Sequence, residues 1–115
     1  MPDPVDPIDA AVIDELRSIL DDDAVAELFS LYLDDAPRTL ADLLAAAGRG
    51  DAPGVRTAAH RLKGGAAGIG AREVEACARQ VEHAALAGRL ADALAHLPAL
   101  RAASDRAEAA LRRRI

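Results

Sequence analysis

A chain of 115 residues with net charge −5, one cysteine and two aromatic residues holds one domain with a single core, and is too short for a catalytic domain plus a nucleotide-binding domain. The lone Cys77 excludes an intramolecular disulfide and a cysteine-based zinc cluster, and no run approaches the ~20 apolar residues that span a bilayer. Alanine and leucine dominate and β-branched runs are missing, which predicts an all-α fold.

Charge is unevenly spread. Residues 1–47 carry twelve acids and two arginines, net −10, whereas residues 48–115 carry seven acids and twelve bases, net +5. A net acidic chain without interleaved aromatic and basic residues does not suit nucleic acid, but the basic half suits an acidic protein pocket or a phosphoryl group. No pattern resembles a signal peptide, so a soluble, cytoplasmic protein that does not engage membranes is expected.

Residues 1–8, with Pro2, Pro4 and Pro7 among aspartates, read as an extended lead-in to a single helical domain over 9–115. A short helix is predicted from Asp9 to Leu20, with Ile8, Val12, Ile13, Leu16 and Leu20 on its apolar side. The run Asp21, Asp22, Asp23 starts the next helix, because acids cap the free N–H groups and complement the helix dipole. That long helix covers Ala24 to Ala47, turns Val25, Leu28, Phe29, Tyr32, Ala36, Leu40, Leu43 and Ala47 inward, and is expected to kink at Pro37. Gly48 and Gly50 stop it, and Asp51 caps a helix that tolerates Pro53 in its first turn and ends near Gly70.

Two further helices follow. One spans Arg72 to Ala87, with Val74, Cys77, Val81 and Ala84 inward, and Gly88 closes it. The other spans Leu90 to Arg113, with Leu90, Leu94, Leu97, Leu100, Ala107 and Leu111 inward and a kink or break at Pro98. Short joins make these an antiparallel up-and-down four-helix bundle with a short additional N-terminal helix. Arg112, Arg113 and Arg114 read as a solvated helix end, where cations suit the dipole.

The most informative stretch is Ala58 to Ala71, AAHRLKGGAAGIGA. Val55, Ala59, Leu62, Ala66 and Ile69 recur every three or four positions, the spacing of a core-facing stripe. At about 100° per residue His60 falls roughly 150° from the centre of that stripe, and therefore points at solvent. Arg56, Lys63, Gly64 and Ala67 are its neighbours on the helix surface. Gly64, Gly65 and Gly68 together oppose the helix by roughly 3 kcal/mol relative to alanine. On an exposed face, glycine serves close approach by another backbone or a bulky group. Gly65 sits nearer the stripe, where it would let a neighbouring helix pack tightly.

Most chemistries fail on these residues. His60, His83 and His96 lie on three different helices without metal-ligand spacing, and His83 and His96 read as surface or boundary residues. GGAAGIG lacks the GxxxxGK[ST] order and follows no strand, which excludes a phosphate-cradling loop for ATP or NAD. Ser18, Ser30, Ser104 and Cys77 have no recognisable base partner. His60 remains as a nucleophile, since neutral imidazole attacks phosphorus without a strong base. Lys63, one turn away, is the single lysine beside thirteen arginines and offers a compact ammonium to phosphoryl charge.

At this point the chain resembles the histidine-containing phosphotransfer (HPt) domains of bacterial phosphorelays, whose signature looks like AHxLKGxxxxxGA. The matching residues are Ala59, His60, Leu62, Lys63, Gly64, Gly70 and Ala71. LFSLYLDDAPRTL resembles the family's LF-x-x-Y-x-x-DAP segment, and CARQVEHAALAG its Cys-x-x-(Leu)Glu-x-x-A-x-x-G helix. The resemblance implies that His60 accepts a phosphoryl group from an aspartyl phosphate on a response-regulator receiver domain and passes it to another, as a stoichiometric carrier rather than a turnover enzyme. It implies that Lys63 supports the phosphohistidine and that Gly64 leaves room for the receiver. Gly64, Ala67 and Gly68 would form the docking face, with Arg56, Arg61 and Lys63 steering the partner. Mg²⁺ would reside on the receiver, leaving no cofactor or metal in this chain. Partners would be receivers and a hybrid histidine kinase, with the chain itself a monomer. Where the family often carries Ser after Lys-Gly and a polar residue four positions later, this chain has Gly65 and Gly68, so no side chain from those positions orients the imidazole. The competing readings are a sensor-kinase dimerisation helix pair, which Arg61 after His60 and the missing ATPase domain disfavour, and a non-transferring interaction module.

Overall fold

The computed structural model describes residues 6–115, so the part of the expected lead-in over residues 1–5 lies outside it. Six helices follow in order: α1 (Ala10–Ile19), α2 (Asp22–Gly48), α3 (Ala52–Ile69), α4 (Arg72–Leu86), α5 (Leu90–Ala95) and α6 (Leu97–Arg112). The described residues contain no strand. α2, α3, α4 and the α5–α6 pair form the four rods of an antiparallel bundle, in which α3 packs between α2 and α4 and α6 closes the ring against α4 and α2.

Helix starts follow the aspartates. Asp9, Asp21 and Asp51 are the N-caps of α1, α2 and α3, and their side chains accept from the backbone N–H groups of Ala11, Ala24 and Gly54, satisfying donors that the first turn leaves free. Hydrogen bonding from Gly54 holds the Asp51 carboxyl below its ordinary range, against a smaller opposing effect of burial. α2 runs through Pro37 without interruption. Neighbouring turns and tertiary packing therefore outweigh the one hydrogen bond that a proline removes.

Each helix buries a stripe. Phe29 and Leu43 of α2, Val55 and Leu62 of α3, Val74 and Val81 of α4, and Leu100 and Leu111 of α6 are fully buried side chains. Burial of a side chain of this size contributes about 1.5–3 kcal/mol. The stripe expected on α3 is buried throughout: Val55, Ala59, Leu62, Ala66 and Ile69. On α4 the buried set is Val74, Ala78, Val81, Glu82 and Ala85, so Cys77 and Ala84, expected inside, flank the core half-buried. On α2, Leu28, Leu40 and Ala47 are likewise half-buried, and Thr39 and Ala46 are buried instead.

The expected long fourth helix is two helices. The chain breaks at His96, which ends α5 and starts α6, and Pro98 occupies the first turn of α6, where its missing N–H is harmless. The break resets the helical phase. Ala93 becomes the buried residue of α5, Leu90 and Leu97 become half-buried, and Leu94 is exposed.

The N-terminal segment is pinned rather than loosely extended over its described part. Ile8, placed on the first helix by its hydropathy, precedes α1 and is fully buried. The Asp9 N–H donates to the Gly70 carbonyl at 2.8 Å, and Arg72 pairs with the Asp9 carboxylate at 3.0 Å. Gly70 ends α3 in the left-handed region at φ 78°. A Cβ there would lie 3.0 Å from Val12 Cβ and 3.1 Å from the Asp9 carbonyl oxygen, so this site requires glycine both for its φ and for the approach of the segment. From the far end of the chain, Arg114 pairs with Asp6 at 2.9 Å and donates to the Ala110 carbonyl at 3.0 Å. Arg114 is therefore a tether, not part of a solvated tail, because the fold brings Asp6 and the end of α6 together.

Candidate functional site

The buried stripe of α3 fixes what its opposite face presents. With Val55, Ala59 and Leu62 in the core, His60 stands outward with 67% of its side chain exposed. Arg56, Arg61, Gly64, Ala67 and Gly68 share the exposed surface with it, and Lys63 is half-buried at the edge.

The residue that organises the site comes from the neighbouring helix. Glu82 projects from α4 between α3 and α4 with only 11% of its side chain exposed, and both of its oxygens are occupied. Oε2 lies 2.6 Å from His60 Nδ1, and Oε1 accepts from Lys63 Nζ at 2.6 Å. Burial alone would raise the Glu82 carboxyl, but the hydrogen bonds from Lys63 and His60 and their charges outweigh it and hold the group below its ordinary range. Glu82 is thus an ionised acceptor at neutral pH. An ionised carboxylate only accepts, so Nδ1 must carry the proton, and in the neutral imidazole the free lone pair then resides on Nε2. The exposed nitrogen is the nucleophilic one.

Glu82 was not among the residues singled out from sequence, although it lies within the CARQVEHAALAG segment. A glutamate on a helix reads as solvated surface, and its partners are 22 and 19 positions away, beyond any spacing rule. Glu82 thus takes the orienting place that no side chain at Gly65 or Gly68 can fill. The imidazole is oriented across the helix pair, from α4.

Two expectations for the cations change. The Lys63 ammonium stands beside His60 as expected but is bound to Glu82, so its charge acts together with that carboxylate. Arg61 donates to Asp35 of α2 at 2.6 Å, which offsets the charge expected to steer a partner. Arg56 is exposed.

The glycines behave in a specific way. A Cβ added to Gly64 or Gly68 would meet nothing within 4 Å, and one on Gly65 would make ordinary contact with the Tyr32 ring at 3.8 Å. Gly65 is thus exposed and serves no tight helix packing. None of the three is demanded by the interior of the fold. Together they floor one wall of an open groove of ≈470 Å³ between α2 and α3, whose other wall is Leu28, Leu31, Tyr32 and Asp34. Leu31 is 58% exposed on that wall. The α2 half of this groove is a second feature missed from sequence, because Leu31 lies outside the apolar stripe and only the packing of α2 on α3 brings it beside Gly64. Burial raises the Tyr32 hydroxyl, with a smaller push from Glu108, so Tyr32 stays protonated beneath the groove. Among the described residues no group of three metal-ligating side chains is assembled.

The family model for the Hpt domain matches residues 27–110. The crystal structure of histidine-containing phosphotransfer protein B (HptB) from Pseudomonas aeruginosa PAO1 superposes with a TM-score of 0.88 at 25% identity, covering 93% of this chain and 92% of that one. No curated protein matches the sequence. The family match spans most of the chain, including the helix bearing the exposed histidine, the helix bearing its carboxylate partner and the groove beside them, and the chain belongs to the Hpt domain family, the histidine phosphotransfer carriers of phosphorelays.

Proposed function

We propose that His60 is the phosphoacceptor and that its Nε2 takes a phosphoryl group from the aspartyl phosphate of a receiver domain and returns it to the aspartate of another. The observation that carries this reading is the 2.6 Å contact between His60 Nδ1 and the ionised Glu82, which leaves the Nε2 lone pair facing solvent. In the forward step that lone pair bonds to phosphorus while the bond from phosphorus to the aspartate oxygen breaks, and the electrons leave with the carboxylate. The imidazole ring acquires positive charge, which Glu82 stabilises through the Nδ1 proton. Lys63 keeps Glu82 in place and adds positive charge near the phosphoryl oxygens. The reverse step follows the same path, so the direction of flux is set by the receivers.

The receiver supplies Mg²⁺ and the acidic pocket that phosphoryl transfer needs, and the chain acts as a stoichiometric cytoplasmic carrier. The groove gives the receiver its seat. Gly64, Gly68 and Ala67 let it approach His60, Leu28 and Leu31 offer it apolar area, and Arg56 contributes to its steering. Incubation with phosphorylated receiver domains tests the reading: acid-labile, base-stable label on wild type and none on His60→Gln is the expected result. Binding of receivers without label on wild type would instead establish a non-transferring interaction module. Gly64→Trp should block transfer while leaving the helix content unchanged by circular dichroism.

A further inference from the structure

Phosphotransfer uses one face of α4 through Glu82 and leaves another unexplained. Arg79, Gln80 and His83 lie on that second face, and opposite them stand Arg89, Asp92 and His96 of the α5 segment and its junction with α6. The two sets enclose an open cleft of ≈420 Å³, within the size range of small-ligand sites. In a chain of net charge −5 this cleft gathers two guanidinium groups and two imidazoles against a single lining carboxylate.

The donors there are only weakly committed. Arg89 reaches Asp92 through Nε at 4.0 Å, with both side chains well exposed. Arg79 contacts Glu75 through one terminal nitrogen at 3.2 Å. Exposed pairs of this kind contribute little, and each guanidinium carries five N–H donors, most of which remain available. The Gln80 side chain and both imidazoles have no hydrogen-bond partner among the described residues. Guanidinium groups recognise phosphate bidentately, and here two of them, one from α4 and one from the start of α5, line the same cleft, so each can take a separate phosphate or acidic group.

We infer that the cleft between α4 and α5 binds a small phosphorylated anion carrying two linked phosphates or a phosphate and a second acidic group, with Arg79 and Arg89 as the principal ligands and His83, His96 and Gln80 as additional donors. The site is separate from the phosphotransfer face and does not depend on the role assigned to His60.

The three histidines make the test direct, because His83 and His96 line the cleft and His60 does not. Inorganic pyrophosphate is titrated into the full chain at 150 mM NaCl while the imidazole C–H signals are followed by NMR. Saturating shifts of His83 and His96 with His60 unmoved are expected. Arg79→Ala and Arg89→Ala should each raise the dissociation constant roughly tenfold, the loss of one charge-assisted contact, without changing the melting temperature or the rate of phosphotransfer. Linear, non-saturating shifts, equal shifts at His60, or unchanged affinity in both variants would overturn the assignment. Equal affinity for sulfate would reduce the site to a non-selective basic surface. Tighter saturation by a hexa-aspartate peptide would reassign the cleft to an acidic protein segment.

Discussion

At the scale of single residues, the proposed transfer rests on one buried carboxylate shared by His60 and Lys63. In the proposed transfer Glu82 acts by positioning: it selects the Nδ1–H tautomer of His60, which leaves the lone pair on Nε2, and holds Lys63 at the edge of the site. Glu82→Ala should slow transfer from receivers about tenfold to hundredfold, the range seen when a partner that orients an imidazole is removed. The same variant should shift the His60 ring toward a mixture of tautomers in ¹⁵N spectra, which a purely structural defect would not do. The pH dependence has a definite sign. Because the folded Glu82 carboxyl lies below its ordinary value of 4.5, it contributes stability above that pH, and the contribution is lost as pH falls from there through the folded value. Urea denaturation between pH 5 and pH 3 should therefore show a steeper loss for wild type than for Glu82→Gln.

At the scale of elements, α3 carries a tension between helix formation and surface access. Its apolar stripe is complete, yet three glycines on the outer face weaken it, and the space above Gly64 and Gly68 is empty. Gly68→Ala should accordingly raise the stability of the isolated chain by about 0.5–1 kcal/mol, measured by urea denaturation. A destabilisation there would show that the glycine serves the fold after all. Larger side chains on the same positions should cost transfer rather than stability, and the two readouts together distinguish a docking requirement from a packing one. The α5–α6 break acts differently. It leaves His96 at the α5–α6 junction, where it lines the cleft against α4, while Arg89 is set there by the turn from α4 into α5.

At the scale of the whole molecule, the segment Asp6–Asp9 and Arg114 close the bundle at the end where α3 turns into α4. Ile8 is fully buried, Asp9 bonds to the Gly70 carbonyl, and Arg114 holds Asp6. This clasp packs on the α3–α4 turn, which joins the helices that carry His60 and Glu82. Ile8→Ala should destabilise the chain by about 2–5 kcal/mol, the range for large-to-small changes at buried aliphatic sites. Arg114→Ala removes a partly exposed pair and should cost no more than about 1 kcal/mol. Thermal denaturation of both variants separates the buried anchor from the surface tether.

The all-α class, the helix starts at Asp9, Asp21 and Asp51, the stripe of α3 and the outward direction of His60 were all legible from the chain, because each depends on residues within one or two helical turns. The resemblance to the family also rested on contiguous motifs. What escaped was whatever depends on two elements meeting. Glu82 reads as an ordinary surface acid until α4 packs on α3, Leu31 acquires a neighbour in Gly64 only when α2 lies alongside, and Arg114 finds Asp6 across 108 positions. Local periodicity decides which way a side chain points. Only the packing of helices, set by the volumes and phases of several stripes at once, decides what it points at.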